Sequence, residues 1–306
     1  MIPIKTCIRA TACALALFSS IPALARDAAP AAAPVLAAPT ARPALWKIAD
    51  GDTTIWLFGT IHILPENVDW YSGPVAKAFD ASSELVTEIP TDRTTQDSQG
   101  MILQKSLRED GKILRDTLSD KERSAYDAAM ASIGLPPQAF DKNDAWFAAL
   151  MLTLIPLKEA GYNLESGVDA QVGQKAKLRH MDNEALETPE YQISLFDTLP
   201  EETQRRYLDE VVKALPTVKP DIDSMVAAWR VGKAEELARL LNEEEDDPKL
   251  REVLLINRNQ AWAKWLKARL EKPGTVFVAV GAGHLAGQGS VQDQLEHIGI
   301  TPVRVQ

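Results

Sequence analysis

Two stretches of this chain end in the same way: Thr53 to Phe58 runs into Gly59-Thr60-Ile61-His62, and Thr275 to Val280 runs into Gly281-Ala282-Gly283-His284. Imidazole nitrogens bind divalent metal ions and carry protons near neutral pH, so two brought to one place can activate a water. With 16 glycines and 4 histidines in 306 residues, chance supplies only about 0.2 Gly-x-x-His spacings. Glu88, at the end of the apolar run Leu85 to Ile89, adds a carboxylate. Two histidines and one carboxylate make a nitrogen/oxygen metal site with positions left for water. On this reading His62 and His284 hold one divalent ion, and Glu88 is either a third ligand or the general base. The two roles of Glu88 remain alternatives.

Other residues are candidates for supporting parts. Arg258 is placed to stabilise an oxyanion, to orient Glu88, or to fix its helix to the sheet by a salt bridge. Glu187 is a candidate further ligand or partner of a histidine ring nitrogen, although helix capping by Thr188 explains the same local pattern. Asp169 reads as a capping or packing residue and Asn259 as a buried hydrogen-bonding one. His180 and His297 lack the glycine context and read as structural or exposed. The Gly-x-Ser-x-Gly elbow, a complete dinucleotide fingerprint and a His-Glu-x-x-His segment are all absent.

The elements that must position these groups follow from hydrophobic patterning. Six β-prone residues before each Gly-x-x-His read as a buried strand, and the glycine marks where the backbone turns. Leu45 to Ala49 pairs with the first of these as a hairpin across Asp50-Gly51-Asp52. Pro74 to Ser82, with Ser72 as N-cap, reads as a helix, and Glu84 to Pro90 as a strand closed by proline, completing a βαβ unit. Helical spacing recurs over 96–107, 119–133 and 144–157, the second opened by the capping box Ser119 and Glu122. Residues 94–158 are thus a helical insertion or cap.

A helix over 167–177, a short strand over 177–181 and a polar link over 183–187 come next. Further helices are expected from Pro200 to Leu215, Asp221 to Trp229 and Lys233 to Leu241. The acidic run Glu243 to Asp247 reads as a solvated loop. A long helix, 248–270, then leads into the second strand-Gly-x-x-His unit, and Trp146, Trp229, Trp262 and Trp265 read as core. A helix over 291–297 and a last strand over 301–305 close the chain. The expected fold class is α/β, a central mixed sheet with flanking helices and chemistry at the carboxyl ends of the strands.

Lys5 and Arg9 precede an apolar, alanine-rich run that ends in Ala23-Leu24-Ala25, the pattern of a cleavable signal peptide over 1–25. Residues 26–44, rich in Ala and Pro, read as an extended linker, leaving 45–306 as a single domain. Both cysteines, Cys7 and Cys13, lie in the leader. The mature chain therefore has no disulfide, thiolate ligand or cysteine nucleophile. No stretch of the mature chain is apolar enough to span a bilayer, and the expected location is periplasmic or secreted. A net charge of −10 argues against nucleic acid or anionic lipid as partners.

Several motifs together resemble the TraB/PrgY/GumN family: Gly59-Thr60-Ile61-His62, the strand ending in Glu88, Gly167-Val168-Asp169, Leu186-Glu187-Thr188 with Gln192, Arg258-Asn259 with Trp262, and Val280-Gly281-Ala282-Gly283-His284-Leu285. They keep the family's order across nearly all the mature chain. The resemblance implies an α/β fold related to the erythromycin-esterase (EreA) and ChaN-like groups. Through the Tiki proteins it also implies a metal-dependent peptidase using manganese or cobalt, with zinc a further candidate. The implied active residues are His62, His284 and Glu88, and the implied partner is a peptide or protein substrate. Other classes the resemblance allows are a non-catalytic protein that holds a peptide, metal or haem-like ligand, and a small-ester hydrolase.

Overall fold

The computed structural model describes residues 40–66, 68–91, 95–242 and 248–306. The expected leader, the linker up to residue 39 and the acidic run Glu243 to Asp247 lie outside the described residues.

Eight strands are present among the described residues: β1 (Leu45–Ala49), β2 (Thr53–Thr60), β3 (Leu64–Pro65), β4 (Glu84–Thr87), β5 (Tyr162–Asn163), β6 (Asp182–Ala185), β7 (Gly274–Gly281) and β8 (Val303–Arg304). Six form the central sheet in the order β6-β4-β7-β2-β1-β8, and β3 pairs with β5 apart from it. β1 and β2 form the expected antiparallel hairpin, with the Asp50 carboxylate accepting from the Asp52 and Thr53 amides to close the turn. β2, β7, β4 and β6 run parallel, while β8 joins β1 antiparallel. The sheet is therefore mixed, as the patterning predicts.

Four parallel neighbours end on one edge, which is what brings distant residues together. β2 and β7 are in register from Thr53 with Gly274 to Thr60 with Gly281, so the two Gly-x-x-His turns leave the sheet side by side. Both inner strands are apolar on alternate and intervening positions because both faces of the sheet are covered. On one face Phe58, Leu85 and Phe277 pack with Phe79, Trp146 and Trp229. On the other, Ile55, Val86, Val276 and Val278 pack with Trp262, Leu266 and Leu295.

The helices are α1 (Gly73–Asp80), α2 (Thr95–Lys105), α3 (Asp120–Ser132), α4 (Ala145–Glu159), α5 (Val168–Leu178), α6 (Pro189–Asp197), α7 (Glu201–Ala214), α8 (Val218–Arg230), α9 (Ala234–Asn242), α10 (Asn257–Leu270) and α11 (Val291–His297). Short helical turns connect some of them. The capping box at Ser119 and Glu122 forms as expected, whereas Ser72 precedes α1 without a side-chain cap. From Ala145 to Leu154 α4 is apolar and buried all round, and it packs against α7 and α8. No helix among the described residues is long and apolar enough to cross a membrane.

Two local expectations are corrected. The short strand expected over 177–181 is the end of α5 and a turn in which His180 adopts a left-handed φ of 55°. The strand is Asp182–Ala185, which overlaps what patterning assigns to a polar link over 183–187. Its sequence is polar because β6 is an edge strand paired only with β4, so it carries no apolar alternation to detect. The long helix over 248–270 is also not uniform: a π-helical segment, Glu252–Ile256, interrupts it and ends two residues before Arg258. Such wide turns are not visible in apolar spacing.

Candidate functional site

At the shared edge, β6, β4, β7 and β2 are followed in that order by Glu187, Glu88, His284 and His62. The fold therefore brings together all four candidates on strand ends, and α10 supplies Arg258 from the neighbouring layer. Glu88 lies one residue past β4 rather than within it. Every one of these side chains is nearly inaccessible: His62 is 8% exposed, His284 5%, Glu88 3% and Arg258 1%.

His62 is held by a residue that patterning assigns to capping or packing. Its Nδ1–H donates to Asp169 Oδ2 at 2.7 Å, and the other carboxylate oxygen accepts from Thr60 Oγ1 at 2.7 Å. Asp169 reaches this position because Gly167 lets the start of α5 press against the His62 backbone. A Cβ on Gly167 would lie 2.0 Å from the His62 carbonyl oxygen, and Val168 N–H donates to Ile61 O. Burial alone would lower the His62 pKa, but the charge and hydrogen bond of Asp169, with the charge of Glu88, raise it to about 9. His62 is therefore an imidazolium at neutral pH.

His284 is held differently. Asn259 Nδ2 donates to Gly289 O at 2.7 Å, which leaves Oδ1 to accept from His284 Nδ1–H at 2.6 Å. His284 Nε2 must then accept, and it does so from Arg258 Nη1 at 3.1 Å. This network assigns a single neutral tautomer. Burial and the Arg258 guanidinium push the His284 pKa down to about 3.

Arg258 is the hub. Nε donates to Glu187 Oε1 (2.8 Å), and Nη2 to Glu187 Oε2 (2.8 Å) and Glu88 Oε2 (2.6 Å). Nη1 donates to Leu254 O (3.3 Å) as well as to His284. All five guanidinium N–H groups are thus used, and the group also lies 4.8 Å over the Trp262 ring. Glu187 further accepts from Trp262 Nε1 and Gln192 Nε2. Four donors fill its acceptor capacity, so the expected ligand role does not describe its present contacts. Glu88 accepts from Arg258, from Gln192 Nε2 at 3.0 Å and, through Oε1, from Gly281 N–H at 2.7 Å. Burial opposes its ionisation, but Arg258 first, then His284, His62 and the Gly281 amide, hold its carboxyl well below the usual carboxylate range.

Three of these groups meet at one point. The place a Cβ on Gly281 would take is 3.1 Å from Glu88 Oε1 and 3.6 Å from both His62 Nε2 and His284 Cδ2. As arranged, two of the three expected ligands have another partner. His284 Nε2 and Glu88 Oε2 are both turned to the guanidinium, and among the described residues no three His, Cys, Asp or Glu side chains are grouped to hold an ion. Asp169, Gln192 and Asn259 are the site members for which patterning alone assigns no chemistry. Their signal was the motif context, Gly167-Val168-Asp169 and Leu186-Glu187-Thr188 with Gln192. His180 and His297 lie away from the cluster's hydrogen bonds, in a turn and at the end of α11.

This chain, with its mixed α/β sheet and its buried His, Glu and Arg cluster at the parallel-strand edge, has relatives among known proteins. It belongs to the TraB/PrgY/gumN family, whose model matches residues 44–304. Among curated proteins it is similar to the "Uncharacterized protein YbaP" of Escherichia coli strain K12, at 25% identity over 253 residues, covering 83% of this chain and 92% of that protein. The protein of the same name from Shigella flexneri matches to the same extent. No solved structure gives a significant match.

Proposed function

We propose that this chain is an exported hydrolase, with a peptide or protein segment as substrate, acting at the His62 and Glu88 edge of the cluster. The observation that carries the reading is the common point beside Gly281, which His62 Nε2 and Glu88 Oε1 both border. A buried array of three carboxylates, two histidines and one arginine is costly to assemble for stability alone. Here each titratable side chain also has its own orienting partner.

A water beside Gly281 would meet the unused lone pair of Glu88 Oε1, while the His62 imidazolium faces the same place as a proton donor. Glu88, held ionised, orients the water and takes its proton as the water adds to the carbonyl carbon and the bond to the leaving group breaks. His62, its ring oriented and its charge favoured by Asp169, gives its Nε2 proton to the leaving group, and until then the positive charge of the imidazolium stabilises a developing oxyanion.

Metal dependence is the second form of this reading. It is favoured by the Asp169 hydrogen bond to His62, an arrangement that also orients metal-bound imidazoles.

The test is an assay of the purified chain on a peptide library and matched esters, with chelator and with added Mn, Co or Zn. Turnover that falls by about 100-fold or more in both His62→Ala and Glu88→Gln is expected. Binding of peptides without turnover by the wild type, under every metal condition, would replace the hydrolase with a binding protein of the same fold.

A further inference from the structure

We propose that Arg258 is a built-in cation that occupies the divalent-metal position of this site, so that the resting chain excludes a metal ion from the His62, Glu88 and His284 cluster. The inference concerns binding alone and stands whether or not the chain turns over a substrate.

The contacts that a dication would need are the ones the guanidinium holds. Arg258 takes Glu88 Oε2 at 2.6 Å and the His284 Nε2 lone pair at 3.1 Å, the same carboxylate and imidazole that the family resemblance assigns to a metal. A guanidinium stays charged at any working pH. An ion placed between Glu88 and His284 would therefore meet a fixed positive charge as well as two occupied ligands.

Arg258 is also built in rather than draped over the site. Its side chain is fully buried, all five of its donors have acceptors, and Trp262 lies under its face. Two of the five donors end on Glu187, whose own four acceptor positions are filled by Arg258, Trp262 and Gln192. Glu187 is in this view the anchor of the guanidinium and not a ligand. Even the local backbone serves the placement, because the π-helical segment Glu252–Ile256 ends two residues before Arg258 and its Leu254 carbonyl accepts from Nη1.

Glu187 gives the proposal a test of sign. If it were a metal ligand, Glu187→Gln would weaken metal binding. As the anchor of Arg258, its neutralisation frees the guanidinium to withdraw, and binding should strengthen although a negative charge is lost.

The experiment is calorimetric titration of the full chain with Mn²⁺, Co²⁺ and Zn²⁺ in turn, comparing wild type, Arg258→Met and Glu187→Gln, each checked for native circular dichroism. No stoichiometric binding is expected for the wild type. Arg258→Met should bind one equivalent, and Glu187→Gln should bind at least about tenfold more tightly than wild type. Both gains should vanish when His62→Ala is added. One ion bound tightly by the wild type, or no gain in either variant, overturns the proposal. Should Arg258→Met fail to fold, Glu187→Gln decides alone, with unchanged or weaker binding counting against.

Discussion

His62 follows β2 and His284 follows β7, adjacent parallel strands, and each histidine stands three residues after a glycine; yet one ring is held charged and the other neutral. The His62 Nδ1 donates to a carboxylate, and its pKa rises to about 9. The His284 Nδ1 donates to an amide oxygen while its Nε2 accepts from an arginine, and its pKa falls to about 3. The shared motif fixes where the rings sit. Their charge comes from Asp169, Asn259 and Arg258, which arrive on α5 and α10. A pair that reads as two equivalent ligands is therefore polarised into a proton carrier and a neutral acceptor.

The largest break in this comparison is expected from Arg258→Met. It removes the partner of His284 and leaves Glu88 and Glu187 buried without their counter-charge, so denaturant unfolding should show a loss of about 3–5 kcal/mol. A loss below about 1 kcal/mol would mean that the cluster relaxes without its hub.

Next comes Asp169→Asn, which strikes the His62 side only. In the wild type the folded-state pKa of His62 lies above the unfolded value of 6.5. Its contribution, about 3 kcal/mol, is therefore fully present below pH 6.5 and disappears as pH rises through 9. Stability measured against pH should fall across that window in the wild type and stay flatter in Asp169→Asn. Identical profiles would show that Asp169 does not set the His62 charge.

Asn259→Asp sharpens the comparison from the other side by giving His284 the kind of partner that His62 has. The His284 midpoint, followed by NMR, should move up from about 3 toward the ordinary imidazole range. It should stop short of His62, because Arg258 still faces Nε2.

Part of this is legible in the amino-acid sequence itself. The hairpin, the two apolar strands and the glycine turns follow from patterning, whereas the parallel pairing of β2 with β7, more than 200 residues apart in the chain, carries no local signal. Arg258 and Glu187 were visible as candidates but not as partners, since their spacing of 71 residues carries no local signal. Asp169 reads as a capping or packing residue, and an acidic side chain in the first turn of a helix does suit the dipole. Only the close approach permitted by Gly167 shows that it faces His62 instead. β6 escaped because an exposed edge strand of Asp182-Asn183-Glu184-Ala185 has no apolar face. The tautomer of His284 lies furthest from the sequence, as it depends on a chain of bonds from Gly289 through Asn259.

The smallest expected change in stability has the sharpest bearing on function. Gly281 has φ −49° and ψ 131°, which alanine adopts without strain. An added Cβ would sit 3.1 Å from Glu88 Oε1, so the carboxylate must shift only by a few tenths of an ångström, and Gly281→Ala should change stability by no more than about 1 kcal/mol. Gly167→Ala is the contrasting control, because its Cβ at 2.0 Å from the His62 carbonyl cannot be accommodated without displacing α5. The methyl on residue 281 would, however, fill the point that His62 Nε2 and Glu88 Oε1 share and displace a water from it. A folded Gly281→Ala protein that keeps the pH profile of the wild type but loses hydrolysis by about 100-fold would place the reacting water between the two groups. Full activity in that variant would move the chemistry elsewhere on the edge and leave the polarised histidine pair as a structural device.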